Sequence, residues 1–314
     1  MMGRFLGPAI LRAFADDDVT EIYLNPRDNA VRFDTRSRGK IDSGASLDAH
    51  RVEMFLNAVA ASLDTTLGPE NPRLEAELPL HRFRGSRLQG FVPPVTPSPA
   101  FTIRKPPAVI HTLTDYERAG VMTPPQADAL RAAVRAHHNV LIAGATNSGK
   151  TTLANAILRE ITDAFPHERI VLLEDTVELQ CASSDHLALR TGPRITLADL
   201  VRSTMRTSPN RIVVGEVRGA EALELLDVWA TGHPGGVATI HAATPEGALL
   251  RLDRLARRVN VPPQRELIAE AVHLIVVIHG GNAGRRLTAL ARVGGLAPDG
   301  TFVLHHLSPD GVWR

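Results

Sequence analysis

Lysine is almost missing from this sequence. Only Lys40, Lys105 and Lys150 are present in 314 residues, and arginine supplies the other 32 of 35 basic side chains. Where a lysine does occur, the position asks for a compact ammonium rather than a planar fork. Cysteine is scarcer still. Cys181 is the single one, so no disulfide can form within the chain, and a reducing, cytoplasmic setting is the expectation. No apolar run approaches 18 residues, so no stretch reads as a spanning helix. The opening MMGRFLGPAILRAFADDD is interrupted by Arg12 and by Asp16 to Asp18. It reads as an amphipathic surface helix rather than a signal peptide, and contact with a membrane surface stays open. There is no excess of charge of either sign: 35 basic against 34 acidic residues leave a net +1. A dedicated nucleic-acid binder would show a basic excess, so sequence-specific nucleic-acid recognition is not expected. With 44% hydrophobic and 22% charged residues the profile is that of a soluble protein of about two domains.

The pattern changes along the chain. Residues 19 to 40 read as two short strands around the turn Asn25-Pro26-Arg27-Asp28. Val52, Phe55, Leu56, Val59 and Leu63 follow at helical spacing, and strand-like pieces fill 73 to 104. These imply a small N-terminal α+β domain over 1–106. The proline density from Pro93 to Pro107 does not suit a regular interior, and 107–123 reads as a linker. From 124 to 314 helical stretches alternate with short apolar strands: NVLIAG, RIVLLED, RIVVGE and GVATIHA, with helices near 196–206 and 219–231. That alternation predicts an α/β domain with a parallel sheet and crossover helices.

One stretch carries specific chemistry. GATNSGKT, Gly144 to Thr151, matches G-x-x-x-x-G-K-[ST], with an apolar strand before it and a helical pattern after it. Gly144, Ala145, Thr146, Asn147, Ser148 and Gly149 let backbone N–H groups turn inward around a phosphate. The helix beginning near Lys150 adds the positive end of its dipole. Lys150 reaches the outer phosphates, and Thr151, with Thr152 beside it, offers a hydroxyl to a magnesium ion. The bound species is therefore a nucleoside triphosphate with magnesium. Downstream, Glu174 and Asp175 end one strand and Glu216 ends another. Parallel strands bring such ends to the same sheet edge as the loop. One carboxylate can serve the attacking water and the other the metal shell, although a strand end in Gly-Glu departs from the more usual aspartate. Solvated strand ends are the plainer alternative for each cluster alone. TGHPGGVATIHA holds His233 and His241, eight apart with a Pro-Gly-Gly turn between them, so they are not a helix-face zinc pair. His137, His138, His305 and His306 show no metal spacing and are expected at the surface.

Taken together these segments resemble the secretion traffic ATPases, RecA-like hexameric motors of type II and type IV secretion and of type IV pili. The phosphate loop, LLEDTVEL at 172–179, RIVVGEVRG at 211–219 and TGHPGGVATIHA at 231–242 match in order, and EIYLNP and GSRLQGFVPPV…FTIRK resemble the N-terminal domain. EDTVEL with GGVATIHA is most similar to the conjugal transfer branch, and the EDPIE-like box of pilus retraction motors is absent. The resemblance implies an ATP-hydrolysing homo-hexamer at the cytoplasmic face of the inner membrane, docked on components of a conjugation or secretion apparatus. It implies that Lys150 and Thr151 bind phosphate and magnesium, that Glu174 activates water, and that Glu216 is the Walker B acid, touching magnesium directly or through water. Arg218 and His241 would relay nucleotide state, and Arg87 and Arg104 would approach the phosphates. It also implies that loss of the terminal phosphate releases two domains that had gripped it. Asn210 stands where relatives often have aspartate, which suggests a different loop cap. Arg251, Arg254, Arg257 and Arg258 lie at helical spacing and read as a solvated face, a neighbour contact or a site for acidic lipid. A pilus or type II secretion motor is the near alternative, weakened by the absence of a tetracysteine module. A small-molecule kinase and a nucleotide-gated scaffold are alternatives of other classes.

Overall fold

In the computed structural model, which describes residues 2–106, 110–192, 194–280 and 284–314, the chain divides into the units Met1–Ala108 and Val109–Arg314. The first unit runs α1 (Gly7–Ala15), β1 (Val19–Leu24), β2 (Ala30–Thr35), β3 (Gly39–Ser46), α2 (Ala49–Ala61), β4 (Arg73–Glu77), α3 (Leu80–Phe83), β5 (Arg87–Phe91) and β6 (Ala100–Arg104). Its six strands form one antiparallel sheet in the order β3-β2-β1-β6-β5-β4. The hairpin at 19–40 continues further than its alternation suggested, because β3 carries on to Ser46. Alternate residues of β5 point into a core built on Ile10, Phe14, Ile22, Phe55, Leu88 and Ile103. At Gly90 a Cβ would come within 2.6 Å of Leu56, so helix α2 sits against bare backbone there. Helix α1 is amphipathic, as its sequence implied, but its apolar face is spent inside the unit: Ile10 and Phe14 are buried. The buried Lys105 donates Nζ to the Ala13 carbonyl at 2.7 Å and to that of Asp16, closing the end of α1.

The second unit contains α4 (Leu113–Arg118), α5 (Pro124–Arg135), β7 (Val140–Ala143), α6 (Lys150–Ala164), β8 (Ile170–Glu174), β9 (His186–Arg190), α7 (Leu197–Thr204), β10 (Arg211–Val214), α8 (Glu221–Ala230), β11 (Val237–Ile240), α9 (Pro245–Ala256), α10 (Arg265–Ala271), β12 (Leu274–His279), β13 (Arg286–Leu296) and β14 (Phe302–His306). The sheet order is β14-β13-β12-β7-β11-β10-β8-β9. From β12 to β9 every pairing is parallel, and β13 and β14 add an antiparallel edge. Strands β7, β8, β10 and β11 are buried at every position, which is why they read as mostly apolar runs rather than alternations. One cluster of core residues lies on each face of this sheet.

The linker expected over 107–123 needs correction. Residues 107–109 lie outside the described residues. Helix α4 lies within that span, capped by a reciprocal Thr112–Asp115 box, and Leu113, Tyr116 and Met122 are buried in the core of the second unit. Prolines at the start of the span disguised a segment whose apolar residues have a core to fill.

Candidate functional site

The loop after β7 turns sharply. Asn147 (φ 60°) and Gly149 (φ 100°) adopt left-handed backbone, and α6 begins at Lys150. A Cβ at Gly144 would stand 2.5 Å from the Ile278 carbonyl oxygen and 2.5 Å from Ser148 Oγ, so the loop is packed against the end of β12 and admits only glycine there. Lys150 is 6% exposed, and its Nζ donates to the Gly144 and Ala145 carbonyls at 3.1 and 2.9 Å. Among the described residues, Ser148 Oγ is buried with no hydrogen-bond partner, and so is Glu216 Oε1. Orphaned buried polar atoms, a backbone cradle that a Cβ would fill and a buried ammonium at a helix start suit a phosphate with its cation.

Strand ends bring the carboxylates together. In β8 and β10, parallel neighbours, Val214 is level with Leu173, and a Cβ on Gly215 would lie 3.2 Å from Glu174 Cγ. Glu216 Oε2 accepts a hydrogen bond from Arg218 Nη2 at 2.7 Å, and Arg218 Nη1 stands 3.8 Å from Asp175. His241, just beyond β11, places Nε2 2.7 Å from Glu216 Oε1, off the line of a good hydrogen bond. Burial pushes the Glu216 carboxyl up, but the Arg218 hydrogen bond and the charges of Arg218, His241 and Lys150 outweigh it, and the group sits below the usual carboxylate range. The Glu216 hydrogen bond raises Arg218 above its ordinary value. His241 is held below an ordinary histidine, first by burial and then by Lys150, Arg218 and Arg251, against the pull of Glu216.

Glu174 is the last residue of β8. It is 4% exposed, and its Oε1 accepts the backbone N–H groups of Glu178 at 2.8 Å and Leu179 at 2.7 Å. This carboxylate shapes the loop that follows β8. Glu178, which the sequence reading did not single out, meets the phosphate loop. Its Oε2 accepts a hydrogen bond from the Thr151 hydroxyl at 3.1 Å, and its carbonyl accepts one from Asn155 Nδ2 at 3.1 Å. Asn155 Oδ1 in turn accepts the Gln180 N–H at 2.9 Å, so the loop is laced to the first turns of α6. A carboxylate four residues after a strand end carries no periodic signal. The available clue was that EDTVEL holds a second glutamate in a loop directed back toward the phosphate loop.

The family model described as type II/IV secretion system protein matches residues 4–279. The chain belongs to that family. Among curated members, a probable conjugal transfer protein TrbB of Sinorhizobium fredii is 43% identical, with 92% of this chain and 87% of the relative covered. The type IV secretion system protein PtlH of Bordetella pertussis is 32% identical, covering 86% of this chain and 88% of the relative. Among solved structures, the pilus retraction motor PilT with bound ADP superposes with a TM-score of 0.63 at 19% identity, covering 95% of this chain and 80% of the other. That last likeness establishes the two-domain P-loop fold.

Other expected positions in this family member resolve as follows. Arg87 and Arg104 belong to the first unit and are paired neighbours across β5 and β6. Asn210 Oδ1 accepts the Arg169 N–H at 2.8 Å. His233 Nδ1 lies 3.1 Å from the Pro209 carbonyl, a structural contact. His305 and His306 are exposed as expected, but His137 and His138 are half-buried. His137 lies 2.6 Å from Glu168, and His138 stacks on His273 with ring centres 5.0 Å apart. Glu168 also holds the buried Arg211, whose guanidinium covers the Phe165 ring at 4.7 Å. Among the described residues, no group of three or more metal-ligating side chains occurs and no helix is long and apolar enough to cross a membrane.

Proposed function

We propose that the chain hydrolyses ATP and works as a hexameric motor of a conjugative transfer or type IV secretion apparatus. The observation that carries the reading is the phosphate loop set beside acidic groups: Thr151 donates to Glu178 at 3.1 Å, and the charge of Lys150 helps lower the Glu216 carboxyl, which also lies 2.7 Å from Arg218 and from His241. The 43% identity to a conjugal transfer protein supports the branch.

In this reading the loop amides of 144–150 and the Lys150 ammonium hold the phosphates, with Thr152 in the first helical turn beside them. Lys150 exchanges its two carbonyl contacts for phosphate oxygens. Thr151 and Glu216 would hold magnesium, which supplies charge neutralisation on the phosphates. Glu178, rather than Glu174, takes the proton of the attacking water as its oxygen bonds to the terminal phosphorus and the bond to ADP breaks. Glu174 is committed to two backbone amides, whereas Glu178 faces Thr151. Arg218 offsets charge near Glu216. The motor reads nucleotide state through His241 and Arg218, works at the inner membrane and docks on other apparatus components.

Phosphate release by the purified chain with ATP and magnesium tests the reading. Turnover is expected, and Lys150→Ala is expected to lower it by about a hundredfold or more. Equal turnover in Lys150→Ala would overturn the assignment, and a ring without turnover would favour a scaffold.

A further inference from the structure

Two groups outside the acidic cluster converge on the backbone of Arg218. Glu221, the first residue of α8 and 8% exposed, accepts the N–H of Arg218 at 2.6 Å and that of Gly219 at 2.7 Å through Oε1. From the other side, Arg258 donates Nη1 to the Arg218 carbonyl oxygen at 2.9 Å across 40 residues of sequence. Arg258 is the middle residue of a 3-10 turn, Arg257–Val259, that follows α9. That turn is closed by Asn260 in left-handed conformation (φ 60°), whose N–H returns to the Arg257 carbonyl at 3.1 Å. The next residue after Arg218 is Gly219, which leaves the backbone free to rotate unless it is tied. With both of its backbone polar groups held, Arg218 turns its guanidinium to Glu216 at 2.7 Å and toward Asp175 at 3.8 Å. Arg258 belongs to an arginine-rich stretch for which the sequence offered a solvated face, a neighbour or a lipid, and this contact gives one of its members an inward task.

We propose that Arg258 is a positioning residue: its hold on the Arg218 carbonyl sets the Arg218 guanidinium against Glu216. The kinetic consequence rests on the hydrolysis reading above, whereas the geometric consequence stands without it. Crystal structures and steady-state ATP hydrolysis of the full chain test both. In Arg258→Ala the Arg218–Glu216 contact is expected to be lost, and kcat to fall about fivefold with KM for ATP unchanged, because orientation rather than binding is removed. Arg258→Lys keeps one donor and is expected to recover to within about twofold. In an Arg218→Ala background the Arg258→Ala change is expected to add nothing. Arg257→Ala, one residue away, is expected to match wild type. Should Arg258→Ala not fold, Arg258→Met keeps the aliphatic stem and carries the same expectations. A retained Arg218–Glu216 contact with unchanged kcat overturns the proposal, and so does an equal fold-loss in both backgrounds. If the wild-type chain releases no phosphate, the functional reading fails and the crystal contact alone decides the role of Arg258.

Discussion

At the scale of single residues, the scarcity of lysine becomes meaningful once the partners are known. Lys105 and Lys150 are 7% and 6% exposed, and each donates to two backbone carbonyls. A point-like ammonium converges on clustered oxygens where a planar fork would not fit. Burial pushes Lys105 down to about 8. Lys105→Arg is therefore expected to destabilise the fold by roughly 1–3 kcal/mol in urea denaturation, through overpacking and mismatched donors. Histidines give a pH prediction. His138 and His273 are both held below 6.5 by burial first, and His241 shares that direction. The folded chain thus binds fewer protons than the unfolded chain, so their contribution is whole above pH 6.5 and is lost as the pH falls below it. Thermal unfolding followed from pH 8 to pH 5 is expected to show a declining Tm below about 6.5, with a shallower decline in His273→Gln. A Tm that rises on acidification through that window would contradict the burial of these rings.

At the scale of elements, the parts legible in the sequence were those with mostly apolar runs or fixed motif spacing. VLIA, IVLLE, RIVV and VATI became the parallel centre of the second sheet because burial on both faces leaves no alternation to confuse. The phosphate loop was legible because its glycines answer to backbone geometry, Gly149 at φ 100° above all. What stayed hidden depends on contacts distant in sequence. Glu178 acquires its place from a buried Glu174 that gathers two amides, and nothing local distinguishes the two glutamates. Helix α4 was hidden by neighbouring prolines, and β3 by a hydrophilic composition suited to an edge strand. Asn139 is a further case. It is fully buried, its Nδ2 donates to Ala271 at 2.7 Å, and its Oδ1 accepts the Gly236 N–H at 2.8 Å, joining β7 to the segments before β11 and β12. Asn139→Ala orphans both backbone groups and is expected to cost about 2–4 kcal/mol in a urea melt.

At the scale of the whole molecule, family membership and the phosphate-loop geometry both support the proposed motor. One rests on similarity across residues 4–279, and the other on distances within one sheet edge. The proposed hexamer predicts a mass near six times 33.9 kDa by light scattering with ATP and magnesium, and a turnover per chain that falls on dilution below the assembly range. In the proposed mechanism Glu178 accepts the proton of the attacking water. Single-turnover phosphate release by Glu178→Gln, at saturating ATP and magnesium, measures it most directly. Release about a hundredfold slower than wild type with nucleotide still bound is the predicted result; release at the wild-type rate would contradict the account.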